Sequence, residues 1–246
     1  MNDLPVPPPA DAAWAYFLDV DGTLAPLASI PSAARVPERA RQVVRALHAR
    51  TRGAVALVSG RAIADIDRLL GEPPLPAAGQ HGTELRPDPA VATLRPAESI
   101  ELAPARAALG EFVSRHTGLL LEDKGQSLAV HYRGARLLED AVRHAVRAEA
   151  SALGEGYCIQ RGNCVVELKP AGANKGGAIA AFMALAPFRG RVPVFVGDDT
   201  TDEDGFKQVN LLGGHSIRVG AGRSAAQYRL KETGDVVDWL EGALQE

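Results

Sequence analysis

The chain has 246 residues, with 27 Lys plus Arg against 30 Asp plus Glu, a net charge of −3, 46% hydrophobic and 23% charged residues. That length suits one large domain or two small ones, and the balance is that of a globular chain, not a disordered one. A generally basic nucleic-acid binder is disfavoured, because phosphate backbones demand local positive excess. No apolar run reaches the roughly 18 residues of a membrane span, and the Pro-rich start, Met1 to Pro9, has no apolar signal core. The expectation is a cytoplasmic protein with no membrane or nucleic-acid partner.

In chain order, residues 1–12 read as a flexible tail. Trp14 to Leu18 is a short buried strand. Pro37 to Arg50 is a helix with Pro in its first turn, and Gly53 to Val58 is a second buried strand. Arg61 to Leu70 is helical and is stopped by Gly71 and Pro73. Ala77 to Leu85 holds a Gly-rich turn and a short strand. Leu102 to Arg115 is a helix, Leu128 to Arg133 alternates like a strand with an exposed face, and Arg136 to Leu153 is a second helix. Tyr157 to Leu168 reads as two strands around a turn at Arg161-Gly162-Asn163. Then come a helix at Ala173 to Leu185, a strand at Val192 to Val196, a helix at Thr201 to Leu211, a short strand at Ile217 to Val219 and a closing helix at Val236 to Leu244.

Strands alternating with helices predict an α/β fold with a mostly parallel sheet covered on both faces. The stretch 103–171 interrupts that alternation, which predicts an inserted smaller α/β domain between core segments 13–102 and 172–246. Cys158 and Cys164 lack zinc spacing and read as structural.

Four segments carry chemistry. Phe17-Leu18-Asp19-Val20-Asp21-Gly22-Thr23 ends a buried strand in two carboxylates, at the end of a parallel strand where ligands bind in open α/β sheets. Close acids repel unless a cation sits between them, and hard oxygens favour Mg²⁺. An Asp-Gly turn alone is the plainer alternative. Val192 to Val196 also runs into acids, Gly197-Asp198-Asp199-Thr200-Thr201-Asp202-Glu203-Asp204. A helix N-terminus accounts for Asp202, Glu203 and Asp204, but not for Asp198 and Asp199. Two strands that both end in paired acids make a metal site. Val58-Ser59-Gly60-Arg61 puts a hydroxyl at another strand end, as an anion contact or as a helix N-cap. Asn174-Lys175-Gly176-Gly177 puts a lysine at the start of a helix, where the dipole disfavours it unless an anion is bound. Of the 27 basic residues only Lys124, Lys169, Lys175, Lys207 and Lys231 are lysines. In so Arg-rich a chain a lysine is the better marker.

Taken together, these segments resemble the haloacid dehalogenase (HAD) superfamily of phosphohydrolases, in the superfamily's own order. The resemblance implies a Rossmann-like core with Asp19 as nucleophile and Asp21 as acid and then base. It makes Ser59 and Lys175 holders of phosphoryl oxygens, and it places Mg²⁺ on Asp19, Asp198 and the backbone carbonyl of Asp21. Gly22, Thr23 and Gly60 would line the phosphate. Asp202 would support the metal ligands. Asp199 stands open between support and a solvated turn, and Arg61 between substrate contact and a salt bridge.

Further motifs narrow the resemblance. Gln80-His81-Gly82, Leu121-Glu122-Asp123-Lys124-Gly125, Val130-His131-Tyr132-Arg133 and Val165-Val166-Glu167-Leu168-Lys169-Pro170 are similar to the trehalose-6-phosphate phosphatase family, from about Tyr16 to the end. The family implies that the insert is a cap that selects substrate through Glu122, Lys124, His131, Arg133, Glu167 and Lys169. It also implies a small sugar phosphate as partner, and a functional link to a separate trehalose-6-phosphate synthase. If His131 and Arg133 share a strand, their spacing puts both on one face, as with Glu167 and Lys169. Cross-strand ion pairs on an exposed sheet face are the alternative. Another sugar phosphate as substrate, or a non-catalytic phosphosugar sensor, are the competing functions. Val20 stands where many relatives have an aromatic, and Gly205 where Ala is usual, which predicts a helix weaker by up to about 1 kcal/mol.

Overall fold

A computed structural model describes residues 4–28, 33–90, 102–162, 164–171 and 173–245. The chain divides into two units, one made of Met1–Leu94 and Asn174–Glu246, the other of Arg95–Ala173.

The first unit is built on strands β1 (Ala15–Leu18), β2 (Val55–Val58), β3 (Ala77–Gly79), β4 (Glu84–Arg86), β9 (Pro193–Gly197), β10 (His215–Val219) and β11 (Tyr228–Leu230). They form one sheet in the order β11-β10-β9-β1-β2-β3-β4. All pairs are parallel except β3 with β4. Strands buried on both faces need apolar residues at every position, and β1 and β2 are buried throughout. Alternation then sorts them. Tyr16 and Leu18 join one layer with Val43, Val44 and Leu47 of α1 (Glu38–Arg50), Ile66 and Leu69 of α2 (Ile63–Leu70), and Val236 and Leu240 of α7 (Thr233–Gly242). Phe17 joins the other with Ile179 and Phe182 of α5 (Lys175–Met183) and Phe206 and Val209 of α6 (Glu203–Leu211).

The second unit carries an antiparallel sheet of β5 (Leu120–Asp123), β6 (Leu128–His131), β7 (Tyr157–Gly162) and β8 (Val165–Pro170), in the order β5-β6-β8-β7. Its core joins Leu128, Val130, Val166 and Leu168 of the sheet to Ala105 and Leu109 of α3 (Ala103–Ser114), to Leu102 just before that helix, and to Val142 and Val146 of α4 (Glu139–Leu153).

Three expectations need correction. Residues 4–12 are not a loose tail. The Pro5 carbonyl accepts from the Arg229 amide, the Pro8 carbonyl from Trp239 Nε1 at 2.7 Å, and the Asp11 carbonyl from the Tyr16 hydroxyl at 2.8 Å. Prolines lack amides but keep carbonyls, so a Pro-rich segment can still be pinned as an acceptor. β6 presents no solvated face, because Leu128, Ala129 and Val130 are all buried. It also ends at His131, so Arg133 lies beyond the strand in an exposed turn and does not share its face. Strands β5 and β11 went unread: segments of four and three residues are too short to display a period. Asn163, expected in the β7–β8 turn, lies outside the described residues.

Candidate active site

Strand register brings the chemistry together. Leu18 pairs with Val196 on one side and Leu57 on the other, all parallel, so the three chains leave the sheet at the same end. Asp19 follows β1, and its amide still donates to the Val196 carbonyl at 3.0 Å. Asp198 follows β9 and Ser59 follows β2. This is the carboxyl edge of the sheet, where loops from neighbouring strands converge.

The turn after β1 closes on itself. The amides of Leu24 and Ala25 both donate to the Val20 carbonyl, and that of Gly22 to the Ala25 carbonyl. Gly22 has φ +75°, and a Cβ there would overlap Asp198 Oδ2. Only glycine allows both that backbone and so close a carboxylate. Thr23 is fully buried, and its hydroxyl has no hydrogen-bond partner among the described residues.

Lys175, the first residue of α5, lies almost fully buried between two acids. Its ammonium donates to Asp19 Oδ1 at 2.8 Å and to Asp202 Oδ1 at 2.5 Å. Burial by itself lowers its pKa, but Asp19 and Asp202 outweigh that and hold it above the ordinary range. The Asn174 side chain caps the helix by accepting from the Gly177 amide. Asp202 is fully buried, and its other oxygen accepts from the amides of Asp198 and Asp199, both at 2.9 Å. Both Asp202 oxygens are therefore engaged, and it braces the Asp198 loop and Lys175 together. Asp199 itself is exposed.

Asp19, Asp198 and Asp202 present carboxylate oxygens within 4.8 Å of one another. Burial raises the Asp19 pKa well above the carboxylate range, Lys175 opposes this, and Asp202 and Asp198 add to it. Asp198 is pushed up to about 7, by burial first and then by Asp202 and Asp199. The Asp19 and Asp198 carboxyls thus resist carrying their charge, a cost that a hard divalent cation bound to their oxygens would offset.

Ser59 is buried, and its hydroxyl accepts from the Arg61 amide at 3.2 Å, but α2 starts only at Ile63 after Ala62, so Ser59 is not its N-cap. The Arg61 guanidinium grips both Asp21 oxygens at 2.6 Å each, a fork-to-fork pair formed with the β1 turn and not with the helix that follows it. Gly60 lies between Ser59 and Arg61.

In the second unit, β5, β6 and β8 align Glu122, Ala129 and Glu167 in one row. Glu167 and Lys169, two apart on β8, are both buried. Glu167 Oε1 accepts from Ser127 Oγ at 2.6 Å and from Lys124 Nζ at 3.3 Å. His131 Nε2 donates to Glu122 at 2.8 Å, and that bond pulls the Glu122 pKa below the carboxylate range. Lys169 Nζ donates to the Ala173 carbonyl at 2.7 Å. The structure thus links Lys124 to Glu167 and Glu122 to His131, and Arg133 lies in the turn after β6. Ser127 was missed by the sequence reading, although it lies in the hairpin between Lys124 and β6.

The trehalose-phosphatase family model matches residues 17–233. The trehalose-6-phosphate phosphatase of Escherichia coli K12 is 40% identical over 234 residues, covering 95% of this chain and 88% of that protein. Among solved structures, the C-terminal domain of the Candida albicans trehalose-6-phosphate phosphatase superposes with a TM-score of 0.79 at 20% identity, over 92% of this chain and 90% of that one. A Bacteroides thetaiotaomicron protein described among phosphatases of the HAD superfamily superposes with a TM-score of 0.64 at 14% identity, over 91% of each chain. These two share the fold: a parallel-sheet core of the Rossmann-like HAD kind. With a family model spanning most of its length and a relative this similar, the chain belongs to the trehalose-phosphatase family and is a phosphatase.

Proposed function

We propose that the protein hydrolyses trehalose 6-phosphate to trehalose and phosphate, with Mg²⁺ as cofactor and Asp19 as nucleophile. The observation that carries this reading is the buried Lys175 ammonium bonded to Asp19, at the edge where Asp198 and Ser59 also emerge. The similarity to the Escherichia coli enzyme of that name, along nearly the whole chain, supports the substrate.

In the first step an Asp19 carboxylate oxygen attacks phosphorus. The bond from phosphorus to the sugar oxygen breaks, and Asp21 gives the leaving oxygen its proton. In the second, water attacks the phosphorus of the aspartyl-phosphate and yields its proton to Asp21, and phosphate departs with Asp19 regenerated. Asp19, Asp198 and the Asp21 carbonyl would hold Mg²⁺, which when bound neutralises phosphoryl charge. Lys175 and Ser59 would orient the phosphoryl oxygens, with the backbone of Gly22 and Gly60 close by. The buried Thr23 hydroxyl lacks a partner among the described residues, a deficit of about 1–3 kcal/mol that a ligand oxygen would relieve. Arg61 occupies both Asp21 oxygens, so that pair has to open before a leaving oxygen can reach Asp21. A phosphoryl group is the competing anion that would draw Arg61 away.

The insert is proposed as the cap that reads the sugar, through Glu122, Lys124, His131, Arg133, Glu167 and Lys169. A disaccharide offers hydroxyls and no charge beyond its phosphate, so donors and acceptors of both kinds are required. Residence in the cytoplasm and a functional link to a separate synthase complete the reading. No helix among the described residues is long and apolar enough to cross a membrane. The test is phosphate release over a panel of sugar phosphates, with Mg²⁺ and after its chelation. Trehalose 6-phosphate is expected to be turned over fastest, in a metal-dependent manner, and Asp19→Asn to be inactive. Wild-type turnover by that variant would sink the mechanism, and faster turnover of sucrose 6-phosphate or mannosyl-phosphoglycerate would sink the substrate.

A further inference from the structure

Left-handed backbone occurs at four non-glycine residues among those described, Arg52, Gln80, His81 and Cys164. Only Gln80 and His81 are consecutive, with φ of +47° and +57°, and Gly82 follows at +103°. A strained pair persists only where its surroundings over-determine it, and such pairs gather at working sites. Histidine is among the residues that tolerate this region.

The surroundings are the segments that carry the proposed phosphoryl contacts. The His81 amide donates to the Ser59 carbonyl at 3.0 Å and the Gln80 amide to the Arg61 carbonyl at 2.8 Å. The turn thereby holds Ser59-Gly60-Arg61 from both sides. The imidazole is buried and packs against the middle residue: a Cβ on Gly60 would stand 2.7 Å from its Cε1 and 2.8 Å from its Nε2. The third residue of the turn meets the other segment. A Cβ on Gly82 would stand 2.8 Å from the carbonyl oxygen of Asn174, the cap of the helix that begins with Lys175.

We propose that His81 is a positioning residue for phosphoryl transfer, whose ring, held by the left-handed turn, sets the Ser59-Gly60-Arg61 loop against the start of α5. This rests on the phosphatase reading of Ser59 and Lys175, but not on the sugar. Glycine at position 81 relaxes the backbone and removes the ring, so a merely structural role and a positioning role separate. The experiment measures kcat and KM for p-nitrophenyl phosphate and trehalose 6-phosphate, with the thermal midpoint, in H81G, G60A and the double variant. The expectation is a loss of about tenfold or more in kcat/KM on both substrates for H81G, at a near wild-type midpoint. G60A, whose methyl collides with the ring, should lose similarly, and the double variant should be no worse than H81G, because the methyl then has room. Wild-type turnover in H81G, losses that multiply in the double variant, or a loss on trehalose 6-phosphate alone would each overturn the proposal. Should H81G not fold, H81N, which tolerates the left-handed backbone, takes its place in the same comparison. A wild-type protein active on p-nitrophenyl phosphate and inert on trehalose 6-phosphate would refute the substrate reading and leave this test intact.

Discussion

Lys175 shows at the scale of one residue why a misplaced charge is informative. An ammonium at a helix N-terminus is disfavoured by the dipole, and burial makes it costlier still. The cost is met by Asp19 at 2.8 Å and Asp202 at 2.5 Å, so the three form a buried ionic group with two negative members and one positive. Removing the positive member leaves two buried carboxylates that repel. Lys175→Met, of similar length, is therefore expected to lower stability by about 3–5 kcal/mol in urea unfolding, and to abolish phosphate release. Stability equal to wild type would mean that the acids find other partners. The lysine was legible because a single position broke a local rule. The Asp202 contact was not, because an acid in the first turn of a helix has an ordinary explanation there.

Gly205 shows what changes at the scale of an element. Judged by propensity, a glycine inside α6 weakens the helix, and Ala should repair it. In the structure a Cβ at position 205 would stand 2.6 Å from Cδ1 of Phe195 and overlap its Cε1, on a rigid ring fully buried in β9. The glycine lets α6 approach the sheet closely. Gly205→Ala is expected to destabilise by about 1–3 kcal/mol through overpacking, where an exposed helix would gain; chemical denaturation measures the sign directly. The central strands were readable because double-sided burial writes continuous apolar runs. The short strands β5 and β11 were not, since they are brief and lack a continuous apolar run, although each pairs with the strand next to it in sequence.

At the scale of the whole molecule the chain combines two sheets of different construction, a parallel one in the first unit and an antiparallel one in the second. The parallel sheet converges its acids and lysine at one edge. The antiparallel sheet gathers a polar set, with Lys124 and Ser127 both on Glu167 Oε1. If the second unit reads the sugar, Lys124→Ala and Glu167→Ala should depress trehalose 6-phosphate turnover by about tenfold or more, roughly one lost charged contact, while p-nitrophenyl phosphate turnover stays near wild type. Equal losses on both substrates would assign these residues to phosphoryl chemistry or to folding instead.

By itself the sequence determined the α/β class, the alternation that builds the core, and which strand ends carry Asp19, Ser59 and Asp198, because buried strands and the residues that end them are local patterns. Tertiary structure alone decided which oxygens are spoken for. That Asp202 reaches Lys175, that Arg61 grips Asp21, that Ser127 backs Glu167, and that the Gln80–His81 turn holds the Ser59 loop are all contacts between separate segments of the chain. Spacing along a sequence specifies which face a side chain occupies, but partners across strands and helices depend on register and packing, which no single segment encodes.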